Sequence, residues 1–110
     1  MNSLTAEIGL SQAMGIVVDG DSLTATLADG RTISVPLAWY PRLQNGSDKQ
    51  RSNWRLIGDG EGIHWPDLDE DISVENLLRG QRSGESPKSF QRWLDHRAVS
   101  EQGLNAPVLN

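Results

Sequence analysis

His64 stands between Ile63 and Trp65, with Glu61 three residues before it and Asp67 three residues after it. A group that titrates near neutrality, oriented by a carboxylate, is the minimum equipment of a general base. His64 with Asp67 or Glu61 therefore defines an enzymatic reading. Against it, a strand position between two large apolar residues turns the imidazole away from both, toward solvent or a scaffold hydrogen bond. The second histidine, His96, falls on the exposed side of the last expected helix, so a two-histidine metal site would have to be assembled across the fold.

Asp67, Asp69 and Asp71 alternate as the first ligands of a calcium loop do. The pattern then fails: the sixth position is Ile72 rather than the glycine of the sharp bend, and the twelfth is Leu78 rather than a bidentate Glu. Acids just ahead of a helix starting near Ser73 have a simpler role, facing the exposed amides and positive dipole of its N-terminus. Gly58-Asp59-Gly60-Glu61-Gly62 lacks the Gly-Lys-Ser/Thr ending of a phosphate loop, and its acids would repel phosphate, so it reads as a hairpin turn. Trp39, Tyr40, Trp54, Trp65 and Trp93 could stack on bases, with Arg31, Arg42, Arg51 and Arg55 holding the backbone. A chain with a single Phe needs those rings for core volume instead. No catalytic residue, cofactor or metal is expected.

The elements that would position these groups are short. Ile16-Val17-Val18 reads as a strand, Asp19-Gly20-Asp21-Ser22 as a turn, and Leu23, Ala25 and Leu27 alternating with threonine as a second strand. A two-residue Asp29-Gly30 loop would pair Leu27 with Thr32 and set the apolar residues of adjacent strands on opposite faces. A type I turn with Gly30 as a left-handed bulge instead pairs Ala25 with Ile33 and Leu23 with Val35. Positive φ is expected at Gly30. Trp39, Tyr40 and Leu43 suggest one helical turn near Pro41, and Ser47 or Asp48 caps a second short helix through Asn53. Trp54, Leu56 and Ile57 form a strand returning as Ile63-His64-Trp65. Ser73 caps a helix closed by Gly80, and Ser86 with Pro87 opens a last one carrying Phe90, Trp93 and Leu94 as a stripe.

The chain has 110 residues, enough for one modest core, and no cysteine, which excludes disulfides, thiolate metal sites and thiol nucleophiles. No apolar run approaches a bilayer span and the start lacks a signal peptide's pattern, so a soluble, cytoplasmic protein without membrane contact is expected. Net charge is -5, unevenly spread. Gly58 to Leu77 holds seven acids and no Lys or Arg, whereas Arg79 to Arg97 holds five basic residues against two acids. Such asymmetry serves solubility or recognition of an oppositely charged partner.

Asp29-Gly30-Arg31, Val35-Pro36-Leu37, Trp39-Tyr40-Pro41-Arg42-Leu43, Arg51 with Asn53-Trp54, and the run Gly60-Glu61-Gly62-Ile63-His64-Trp65-Pro66-Asp67-Leu68-Asp69-Glu70-Asp71-Ile72 occur in this order. Over about residues 14 to 80 the chain thereby resembles the bacterial domain of unknown function 2442 (DUF2442) family. The resemblance implies a small α+β domain with an antiparallel sheet and one or two packed helices, and it brings no catalytic residues. Some relatives are fused to a helix-turn-helix domain, and many are encoded beside a second small protein of the unknown-function family 4160, as toxin and antitoxin pairs are. Ser83 to Arg97 resembles the tail of many members. The 30 residues after Gly80 suffice for one helix but not for a tri-helical DNA reader.

Residues and resemblance together predict an α+β fold of small antiparallel hairpins with two to three short packed helices. The expected organisation is a flexible segment 1–13, the domain 14–80, a helical extension 81–97 and a flexible tail 98–110. The expected function is non-enzymatic protein binding, as the antitoxin-like partner of a toxin and antitoxin type pair. Asp67, Asp69, Glu70 and Asp71 with Phe90, Arg92, Trp93 and Leu94 are the expected contact residues. The partner is another small protein, such as a cognate toxin, or a second copy of the chain. Nucleic-acid binding through the basic end, and an enzyme built on His64, are the alternatives.

Overall fold

The computed structural model describes residues 12–105, so the expectations for residues 1–11 and 106–110 lie outside the described residues. Six strands form two antiparallel sheets of three: β1 (Ala13–Val18), β2 (Ser22–Leu27) and β3 (Thr32–Pro36), then β4 (Arg55–Ile57), β5 (Gly62–Trp65) and β6 (Glu70–Ser73). Each sheet is an up-and-down meander in sequence order.

In the first sheet Leu23 pairs with Val35 and Ala25 with Ile33, as the bulged-turn argument requires, and Gly30 has φ 92°. The Asp29 carboxylate accepts from the Arg31 amide at 3.0 Å and fixes the turn. Asp19 does the same for β1–β2, accepting from the amides of Asp21 and Ser22 at 2.8 and 2.7 Å; these backbone hydrogen bonds hold its carboxyl below the ordinary value. β1 carries a bulge between Ala13 and Gly15.

A 3-10 turn (Leu37–Trp39), α1 (Pro41–Gln44) and α2 (Asp48–Ser52) join the two sheets. Ser47 and Gln50 form a reciprocal capping box on α2. Arg51 reaches back from α2 and donates to the carbonyls of Leu43 and Gln44 at 2.8 and 2.7 Å, capping the end of α1. Gly60, in the β4–β5 turn, has φ 95°, and a Cβ there would stand 2.6 Å from the Ala13 carbonyl oxygen. This close approach joins the sheets, since Ala13 donates its amide to the Gly60 carbonyl at 2.7 Å.

One core runs across both sheets. Leu23, Leu27, Leu37, Leu43, Ile63, Trp65 and Leu68 are fully buried, and Tyr40, Ile72, Val74 and Leu77 complete it. Buried Trp65 places its indole N–H 3.0 Å from the Arg51 carbonyl, so the largest core residue leaves no polar atom unpaired. α3 (Val74–Arg79) starts at Ser73, whose hydroxyl accepts from the Asn76 amide, and ends at Gly80 with φ 69°. Leu77 enters the core while Leu78 stays exposed. α4 (Pro87–Asn105) starts at Ser86 and continues past Arg97.

Two details depart from expectation. Residues 70–73, read as acids preceding a helix, form the strand β6, which pairs with β5 through His64↔Asp71 and Ile63↔Ile72. Its lone apolar residue, Ile72, gave no alternating pattern, and only the partner strand makes the segment extended. Second, the single hairpin expected there is a complete three-stranded sheet, closed by the tight turn at residues 66–69.

Candidate functional site

Arg42, on the single turn of α1, ties together Glu85, Asp69 and Trp93. Its Nε donates to Glu85 Oε1 at 2.9 Å and its Nη2 to Glu85 Oε2 at 2.6 Å, a forked pair. Its Nη1 donates to the Asp69 carbonyl at 2.8 Å. Glu85 also accepts from the Ser89 hydroxyl at 2.9 Å, which ties the start of α4 to the same node. Charge-assisted bonds from Arg42 hold the Glu85 carboxyl below its ordinary value, and the Glu85 hydrogen bond raises that of Arg42.

Trp93 lies against this node. The Arg42 guanidinium stands 5.1 Å and that of Arg97 4.6 Å from its ring centre, both within cation–π range. Phe90 stacks on Trp93 with centroids 5.7 Å apart. Arg97 also donates to the Asp67 carbonyl at 3.3 Å. The acidic turn and the aromatic stripe of α4, 26 residues apart from Asp67 to Trp93, are thereby brought side by side. Phe90, Trp93 and Leu94 are half-buried and Arg92 is exposed. An open groove of about 630 Å³ runs along this region, lined by Arg42, Ser89, Arg92, Trp93, Asp95 and His96.

The four acids separate. Asp67 and Asp69 are exposed on the turn, where Asp69 adopts φ 52°, a left-handed conformation that Asp tolerates better than most residues. Asp67 accepts from the Asn53 side-chain amide at 2.9 Å. Glu70 and Asp71 are neighbours on β6 and so point to opposite faces. Asp71 meets His64 Nδ1 across the outer face of the second sheet. The histidine's carboxylate partner is therefore Asp71, neither Asp67 nor Glu61.

Glu70 points to the face of Ile72, into a small polar cavity of about 190 Å³ lined by Tyr40, Asn76, Gln81, Arg82 and Ser83 among others. Burial pushes its carboxyl up to about 7; Arg42 opposes the shift, and Glu85, Asp71 and Asp69 reinforce it. Burial, then the charge of Glu70, raises Tyr40 as well. The connector between α3 and α4 closes this cavity: Tyr40 Oη donates to the Gln81 carbonyl at 3.1 Å, the Ser83 amide donates to the Trp39 carbonyl at 3.1 Å, and Arg82 covers the Trp39 ring.

In the sequence Glu70 is one acid among several, and nothing local marks Arg42 and Glu85 as partners. Arg42 does follow Trp-Tyr-Pro in the quoted motif, but no local rule joins residues 43 positions apart. The aromatic residues considered for base stacking disperse: Trp65 and Tyr40 are buried, Trp39 is covered by Arg82, and Trp93 is flanked by two guanidinium groups.

These features define a small α+β protein with two three-stranded antiparallel sheets and a C-terminal helix pinned through an arginine node. The family described as protein of unknown function (DUF2442) matches residues 13–83, and the chain belongs to it. It is similar to a protein of unknown function from Rhodospirillum rubrum, seen in a crystal structure, at 28% identity and TM-score 0.59, over 67% of this chain and 92% of that one. The fold is also shared with an uncharacterized protein from Chromobacterium violaceum, seen by solution NMR, at 16% identity and TM-score 0.58, over 84% of this chain and 89% of that one. A search of curated proteins finds no match.

Proposed function

We propose that this chain is a non-enzymatic protein-binding module, the antitoxin-like partner of a second small protein. One observation carries the reading: Arg42 and Arg97 place the exposed Asp67 and Asp69 beside the half-buried Phe90, Trp93 and Leu94 and the exposed Arg92, in one continuous surface. Aromatic anchors with an adjacent Arg, rimmed by charge, are what interface centres favour. Exposed carboxylates at the rim suit a basic partner surface, raising encounter rate, while the aromatic centre sets lifetime. A nucleic-acid reading gains less support. Arg31, Arg42 and Arg51 are engaged by Asp29, Glu85 and Asp48, and Trp65 is buried.

The test is co-expression with a small protein of the unknown-function family 4160, the kind encoded beside many relatives, followed by co-purification. A stoichiometric complex is expected, weakened at least ~10-fold by Trp93→Ala and by Arg92→Glu. Arg92 is exposed, so its variant keeps the fold and isolates the contact. Failure to co-purify, or a complex indifferent to both substitutions, overturns the reading. His64→Ala retaining full biological activity removes the enzymatic alternative.

A further inference from the structure

The half-buried carboxylate of Glu70 lines the cavity of about 190 Å³ beside β6, α3 and the connector, and it accepts no hydrogen bond from any described residue. The guanidinium groups around it are turned to other partners. Arg42 is forked on Glu85 and bonded to the Asp69 carbonyl, and Arg82 lies over the Trp39 ring at 4.9 Å. Asp69, Asp71 and Glu85 add negative charge around Glu70, and α3 presents only the neutral Asn76 to the cavity. The other lining groups are rich in acceptors. Tyr40 Oη gives its proton to the Gln81 carbonyl at 3.1 Å and keeps its lone pairs, and that carbonyl keeps one of its own. The Asn76 side chain, which makes no hydrogen bond among the described residues, adds an amide oxygen.

The geometry points to this cavity as a binding site for a small organic cation, a guanidinium or primary ammonium head whose N–H groups meet the Glu70 carboxylate. A half-buried carboxylate with no donor gains most from a ligand that brings both opposite charge and hydrogen bonds. An anion would be repelled by Glu70 and by the three carboxylates around it, and a neutral ligand would leave that charge uncompensated. A divalent metal ion fits less well, because among the described residues no three His, Asp or Glu side chains gather as a ligand set. At roughly 30 Å³ for each water-sized group the cavity takes about six, the size of a guanidinium or ammonium on a short stem. A proton competes with the cation for the same oxygens. Burial raises the Glu70 carboxyl to about 7, so binding below that pH expels its proton and affinity rises with pH. No lining residue is shared with the α4 groove, so this site and the partner complex stand or fall independently.

The test is an NMR titration of the full chain with methylguanidinium or n-propylammonium chloride at pH 8 and constant ionic strength. Saturable amide shifts are expected at Glu70, Asn76, Gln81 and Ser83, with half-saturation at about 1–10 mM for so few ligand atoms. N-methylurea, a neutral analogue, should produce none. At pH 6 half-saturation should move about 10-fold higher, because Glu70 is then mostly protonated, a readout that needs no variant to fold. Glu70→Gln should abolish the shifts, and Asp59→Asn, at an exposed turn position, should leave them unchanged. An end-capped Gly-Arg-Gly peptide that binds as well as methylguanidinium would assign the cation to a partner's side chain; binding of the small cations alone would assign it to a free molecule. No saturable shift with either cation, equal shifts from N-methylurea or sodium chloride, affinity indifferent to pH, or binding retained in Glu70→Gln would overturn the proposal.

Discussion

Arg42 and Glu85 meet in a fork whose side chains are only 19% and 8% exposed, although one stands on a helix of a single turn and the other on the connector to α4. The pair closes the long excursion of the chain from the first sheet, through the second, to the final helix. It also explains how a helix with no fully buried side chain among those described stays docked: Glu85 is anchored just before Ser86, and Arg42 then meets Trp93 on the docked face.

Removing the guanidinium strands a carboxylate that is nearly out of water. Arg42→Ala should cost about 3 kcal/mol in urea unfolding, because a partly buried charge loses its only fork. Arg42→Lys should recover less than half of that, since an ammonium cannot make the same bidentate pair.

The two tryptophans predict opposite experiments. Trp65 is fully buried, so Trp65→Ala should cost at least ~3 kcal/mol and populate unfolded chain near physiological temperature. Trp93 is half-buried on α4, so Trp93→Ala should cost only ~1 kcal/mol while weakening the proposed partner binding at least ~10-fold. Circular dichroism melts beside the co-purification assay separate the two effects.

Glu70 makes stability depend on pH near neutrality. Its folded value of about 7 lies above the ordinary 4.5, so the folded chain retains a proton that the unfolded chain has released. Stability therefore falls as pH rises from about 4.5 to about 7, and the loss is complete above that window. Its size is on the order of 2 kcal/mol after discounting for partial exposure. Glu70→Gln, a mimic of the protonated acid, should raise the melting temperature at pH 8 and leave it nearly unchanged at pH 5. The opposite ordering would exclude the buried-acid account.

Gly60 should not tolerate a side chain. Its φ of 95° is costly for any L-residue, and a Cβ would press on the Ala13 carbonyl at 2.6 Å, where backbone rather than a flexible side chain has to yield. Gly60→Ala should cost about 2 kcal/mol or more, whereas Gly84→Ala, with open space around it, should cost less than about 0.5 kcal/mol. Denaturant midpoints decide.

Much of the fold was legible because its signals are local. The register of β2 and β3 followed from the face on which Leu23 and Ala25 must lie, and Gly30 followed from that register. Ser47, Ser73, Ser86 and Gly80 announced helix ends because capping groups act within three or four residues. β6 was not legible. Glu70, Asp71 and Ser73 have little strand preference, and the segment is extended only because β5 offers it a ladder.

By itself, the order of residues determined the hairpins, caps, turn glycines and uneven charge, since each depends on neighbours close along the chain. Tertiary structure alone decided that Arg42 would hold Glu85 and face Trp93, that Asp71 rather than Asp67 would meet His64, and that Glu70 would be turned inward. Those relationships depend on which strands pair and which faces turn toward the core, and one residue of register would move Glu70 to the outside and Asp71 to the inside.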